Sequence, residues 1–192
     1  RNTGRTRSAA PVRRHGLELT PILAGTDIST VVGHFLALAR AELGFGVGDL
    51  VDSAKMVSEL SSNVRDHSQD QGLAAAHLYR DRRGSRYISI GVADLGIGIR
   101  QSLSQRHPEA GQWTHEQAVA QALAGLSSRS VGGGLGLSST RELVRRYQGH
   151  LALRSGDAKL QLSADRQPQA LRVALFGGTQ VGISFSQMAD KG

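Results

Sequence analysis

Glu59, Asn63 and His67 fall at i, i+4 and i+8 of one helical pattern, so an acid, an amide and an imidazole line a single side of a helix. A carboxylate able to orient or deprotonate a nucleophile, beside an amide oxygen able to ligate magnesium, suits phosphoryl transfer. The plain alternative is a solvated polar face. A second group, Asp94-Leu95-Gly96-Ile97-Gly98-Ile99, closes a strand pattern with an acid and two spaced glycines. The Asp94 carboxylate can accept a hydrogen bond from an exocyclic amine, and Gly96 and Gly98 carry no side chain to hold a flat ring off the main chain. An ordinary strand-to-loop turn fits as well. A third group, Gly132-Gly133-Gly134-Leu135-Gly136-Leu137, feeds glycines into a helix start, where exposed amides and the helix dipole make an anion site, phosphate being the obvious anion; a hinge is the alternative.

The elements that must position these groups follow from periodicity. Leu17 to Ile22 suits a short edge strand broken at Pro21. A helix follows, capped by Asp27 or Ser29, with Val31, Val32, Phe35, Leu36, Ala39 and Leu43 repeating at three and four before Gly44 and Gly46. Asp49 to Ser68 forms the second helix, with Leu50, Ala54, Val57, Leu60 or Ser61, and Val64 as its buried stripe. Ala74–Tyr79 and Tyr87–Asp94 read as a hairpin that delivers Asp94 to its tip. From Arg100 to Val131 the pattern is loop-like apart from one short helix begun by the capping box Thr114 and Gln117. The helix after Gly136 stops at Gly149, and the chain ends as strands at Leu151–Arg154, Lys159–Ser163, Leu171–Phe176 and Val181–Phe185. Turns are expected at Gly156-Asp157 and Gly177-Gly178-Thr179.

The 192 residues suffice for one domain with a real core. With no cysteine, disulfides, thiolate metal sites and a thiol nucleophile are excluded. No apolar run reaches the length of a membrane span, and a soluble cytoplasmic protein is the expectation. Of the net charge of +7, Arg1, Arg5, Arg7, Arg13 and Arg14 supply five, with no acid before Glu18. Residues 1–16 are therefore read as a basic, flexible tail, 17–186 as the domain and 187–192 as a frayed end. The tail has no interleaved aromatics for stacking on bases, which argues against nucleic acid as a partner.

The three motifs, in this order at a helix, a strand tip and a helix start, resemble those of the Bergerat-fold ATPases, the GHKL superfamily of gyrase, heat-shock chaperones, MutL proteins and histidine kinases. The likeness covers roughly Leu17 to Phe185. It implies an α+β fold: a two-layer sandwich in which a mixed, mostly antiparallel sheet is covered on one face by helices, with an ATP lid at about 100–131. It further implies that Asp94 accepts from the adenine amino group, with Thr179 nearby and Gly98 allowing the ring to approach. Asn63 would ligate Mg2+. Gly132, Gly133, Gly134 and Gly136, with amides around Leu135 and Leu137, would cradle the phosphates, and Ser128 and Arg129 are lid candidates for phosphate contact.

Ser58-Glu59, Asn63 and His67 look like the anti-sigma-factor serine kinases, in which the glutamate is the catalytic base, while the second glycine motif looks more like sensor histidine kinases. In the latter a phosphate-contacting lysine often stands three residues after the asparagine, where this chain has Asp66. His34 lacks the acid and proline that usually follow a phospho-accepting histidine. The expectation is a Mg-ATP-binding signalling module that phosphorylates a partner protein, of sigma-factor, anti-anti-sigma or response-regulator type. The alternatives are an ATP-dependent binding module without transfer, and a slow ATPase whose closure drives homodimerisation.

Overall fold

In a computed structural model, residues 19–23, 28–68, 71–80, 84–126 and 136–186 are described. They form β1 (Thr20–Ile22), α1 (Ile28–Leu43), α2 (Val47–His67), β2 (Gly72–Arg80), β3 (Arg86–Asp94), α3 (Gly98–Ser104), a 3-10 helix (Pro108–Gln112), α4 (His115–Ala124), α5 (Gly136–Arg146), β4 (His150–Ser163) and β5 (Arg166–Ser186). The basic tail, Asp27 and the C-terminal residues 187–192 lie outside the described residues.

The five strands make one sheet in the order β1-β2-β3-β5-β4. Every pairing among the described residues is antiparallel, so the expected mixed sheet is corrected to a purely antiparallel one. Period-two alternation turns Ile88, Ile90 and Val92 of β3, Val181, Ile183 and Phe185 of β5, and Leu151 and Leu153 of β4 to one face. Against them pack Val31, Phe35 and Leu43 of α1, Met56, Val57, Leu60 and Val64 of α2, and Val144 of α5. This is the expected α+β sandwich with helices on one side. Tyr147, just past α5, stacks on Phe45 with ring centroids 5.0 Å apart and meets Phe185 edge-on.

Over Arg100–Val131 the one expected short helix is present as α4, but residues 98–112 add α3 and a 3-10 helix where loop was expected. α3, the 3-10 helix and α4 surround a small second core of Leu103, Ala110, Ala118 and Ala122. Arg100 ties this unit together by donating to the Trp113 carbonyl at 3.2 Å. Ile99 and Leu137 pack on both cores and join them. The expected capping box is present, with the Gln117 amide donating to Thr114 Oγ1 and Gln117 Oε1 accepting from the Thr114 amide.

The C-terminal strands differ more. Gly156-Asp157 and Gly177-Gly178-Thr179 are not turns: β4 and β5 run straight through them as a single long hairpin, turning only at residues 164–165. Both glycine sites are bulges, where the register shifts from Ser155↔Thr179 to Gly156↔Phe176 and again to Ala158↔Arg172. Among the described residues no helix is long and apolar enough to cross a membrane.

Candidate functional site

Asp94 is the last residue of β3 and is 8% exposed. Its Oδ1 accepts from the Gly96 amide at 2.9 Å and from the Thr179 amide at 3.2 Å. Two amides from different segments on one oxygen fix the plane of the carboxylate. Thr179 therefore lies beside Asp94, at a bulge in β5 rather than in the expected hairpin turn.

The two glycines after Asp94 have reasons that the sequence reading did not give. A methyl group on Gly96 would overlap the Ser68 carbonyl at the end of α2. That carbonyl accepts from the Ile97 amide at 3.0 Å, so the glycine lets the loop dock on the helix that carries Glu59 and Asn63. Gly98 has φ +72°, and a Cβ there would lie 2.9 Å from Ser155 Oγ. Both glycines serve protein-to-protein approach.

Glu59 and Asn63 are half-buried on α2. The far end of this helix is pinned as well. Asp49 accepts from the Gly46 amide at 3.2 Å and from the Tyr147 hydroxyl at 2.5 Å, with Arg146 at 3.6 Å from Asp49 and 2.9 Å from Asp52. Burial, followed by the hydrogen bond and charge of Asp49, pushes the Tyr147 hydroxyl well above the usual tyrosine range. α5, whose first residue is Gly136, is thus fixed at its far end to the start of α2, and α2 is fixed at its end to the Asp94 loop.

Ser128, Arg129, Gly132, Gly133, Gly134 and Leu135 lie outside the described residues, as does the side chain of His67. Leu137 is placed, and its side chain enters the apolar seam beside Ile99. Among the described residues, no group of three or more His, Asp or Glu side chains converges on a cation position. A locked carboxylate beside an amide-bearing bulge fits a base with an exocyclic amine.

Two features escaped the sequence reading. Ser155 is 2% exposed; the alternation Leu151, Leu153, Ser155 had already placed a hydroxyl on the inner face of β4. His115 Nδ1 lies 2.7 Å from Asp157 Oδ1, with Arg172 Nε 3.2 Å from Oδ2. The His115 hydrogen bond, aided by Arg172, holds the Asp157 carboxyl below its usual range. Two concavities of about 500 and 550 Å³ open on the opposite face of the sheet, against residues such as His150 and Arg166 in one and Leu73 and Gly91 in the other; neither includes Asp94 or Asn63.

No curated protein matches the chain. Among solved structures, a mycobacterial sensor histidine kinase, MprB, aligns with 20% identity over 87% of this chain and 97% of its own, at a TM-score of 0.41. The family described as histidine kinase-, DNA gyrase B-, and HSP90-like ATPase matches residues 48–186, a span that runs from the start of α2 through the Asp94 loop to the end of β5. With the motifs in their expected order on that span, the chain belongs to the histidine kinase-, DNA gyrase B- and HSP90-like ATPase family, whose nucleotide is ATP.

Proposed function

We propose that this chain is a Mg-ATP-dependent protein kinase module of the anti-sigma or histidine-kinase-like type, acting on a regulatory partner protein. The observation that carries the reading is the Asp94 carboxylate, fixed by the Gly96 and Thr179 amides next to the loop on which α2 ends. Asp94 would accept from the adenine amino group. Asn63 would offer its side-chain oxygen to magnesium, one turn beyond Glu59 on the same helix. Glu59 would take the proton from the acceptor hydroxyl as its oxygen bonds to the γ-phosphorus and the bond from that phosphorus to the β–γ bridging oxygen breaks, with ADP as the leaving group. Bound Mg-ATP supplies the phosphoryl group and the charge that neutralises it in transfer. The Gly132–Gly136 run would cradle the phosphates, with Ser128 and Arg129 in the lid. The lid would be the segment at about 100–131, of which residues 100–126 carry α3, the 3-10 helix and α4 around their own small core.

A second reading, ATP-gated docking without transfer, has one observation in its favour. Asp66, where a phosphate-contacting lysine would favour transfer, instead pairs with Arg65 at 2.8 Å. The experiment is a calorimetric titration with a non-hydrolysable ATP analogue, with and without magnesium, on the wild type, Asp94→Asn and Glu59→Ala. Magnesium-dependent binding lost in Asp94→Asn supports the base assignment. Undiminished phosphorylation of a partner by Glu59→Ala would sink the assignment of Glu59 as the proton-accepting base.

A further inference from the structure

The hydroxyl of Ser155 connects three segments that meet at the candidate base site. It accepts from the Ile99 amide at 2.9 Å and donates to the Gly178 carbonyl at 3.0 Å. Ile99 lies in the first turn of α3, where amides have no partner within the helix; Ser155 caps that turn from across the sheet.

Gly178 O and Thr179 N–H belong to one peptide group, which is planar and rigid. Ser155 holds its oxygen, and Asp94 Oδ1 holds its N–H. The two side chains grip a single amide plane from opposite ends. That plane sits at the bulge, just past the last regular pair Ser155↔Thr179, where ladder bonds no longer fix it. Gly98 is the third wall: a Cβ there would lie 2.9 Å from Ser155 Oγ and 3.3 Å from Gly178 O.

We propose that Ser155 is a positioning residue for base selection: through the Gly178–Thr179 peptide it sets the plane of the Asp94 carboxylate, and so the preference for a purine with an exocyclic amine at position 6. This rests on the nucleotide reading above. Without the hydroxyl the peptide is free to turn, the Thr179 amide leaves Oδ1, and the carboxylate no longer favours a donor over the carbonyl that guanine presents there. Ser155 does not itself touch the base.

The test titrates the purified chain with non-hydrolysable ATP and GTP analogues in the wild type, Ser155→Ala, Ser155→Thr and Val31→Ala. Val31 is a buried residue of α1 outside this relay and serves as a control for lost core packing. Ser155→Ala is expected to narrow the ATP-over-GTP ratio about tenfold, the worth of roughly one hydrogen bond. Amide hydrogen exchange at Ile99 and Thr179 should accelerate together. Ser155→Thr, which keeps the hydroxyl, should restore the ratio, and Val31→Ala should leave it unchanged. Should Ser155→Ala not fold, Ser155→Cys, with its weaker donor, carries the same comparison and is expected to fall between alanine and wild type. A selective wild type whose ratio is unmoved in the alanine or cysteine variant overturns the proposal and leaves the nucleotide reading standing. A wild type that binds neither analogue overturns the nucleotide reading and the proposal with it.

Discussion

Replacing Tyr147 by phenylalanine removes one oxygen from the joint between α5 and α2. The residue is 1% exposed, and its hydroxyl donates to Asp49 Oδ1. Phenylalanine keeps the stack on Phe45, so the change isolates the hydrogen bond. A bond to a charged acceptor contributes about 1.5–3 kcal/mol, which for a domain of this size lowers Tm by roughly 3–12 °C. The pH dependence supplies a second check. Because the folded hydroxyl titrates above the ordinary tyrosine value of about 10, the unfolded chain loses this proton first as pH rises. Its stabilising contribution is complete below about pH 10 and is lost above it, at about 1.4 kcal/mol per pH unit. The gap between wild type and Tyr147→Phe should therefore narrow in alkali. Urea denaturation of both proteins at about pH 8 and about pH 11 measures it. A variant within about 0.5 kcal/mol of wild type at the lower pH, or a gap that stays constant on going to the higher, would refute the reasoning.

Other substitutions test other joints. Gly96→Ala drives a methyl into the Ser68 carbonyl and should cost about 1–3 kcal/mol while also weakening ATP-analogue binding, because the Asp94 loop and α2 part together; denaturation and calorimetry on the same preparation read both. Asp157→Asn removes a carboxyl whose pKa is lowered, chiefly by its His115 hydrogen bond. Wild type should lose that contribution as pH falls below about 4, and the variant should show a flatter acid limb in thermal melts. Glu59→Gln should cut phosphorylation of the partner by about 100-fold or more with analogue affinity unchanged; equal losses in both would mean that Glu59 binds rather than catalyses.

Much of this molecule is readable from local pattern. α1, α2 and β3 carry long, clean periods of 3.6 or 2, and Asp94 could be placed at a strand tip from the alternation of Ile88, Ile90 and Val92 alone. α3 could not be, because seven residues offer only Ile99 and Leu103 as an apolar repeat, too few to distinguish a helix from a loop. The bulges at Gly156 and Gly177-Gly178 read as turns for a physical reason. A glycine with positive φ is required by both, and only the partner strand decides which one forms. The contact of Gly96 with Ser68 was not legible, since nothing local indicates that the end of α2, some 28 residues earlier in the chain, lies against it. The inward face of Ser155 follows from alternation, but its contacts do not, because they are with residues 56 positions before it and 23 after.

β5 pairs with β3 only over Gln180–Ser186, while its earlier half, from Arg166 to Phe176, pairs with β4 alone. The doubled bulge stands between the two halves. Because register is reset there, residues can be gained or lost in the outer arm during evolutionary divergence without displacing Thr179 by even one position. The outer arm is in that sense a free variable of the lineage. Leu171 and Leu175, which it holds toward solvent, can drift under selection for other purposes while the inner strand stays fixed by its pairing with β3 and by the Thr179–Asp94 hydrogen bond.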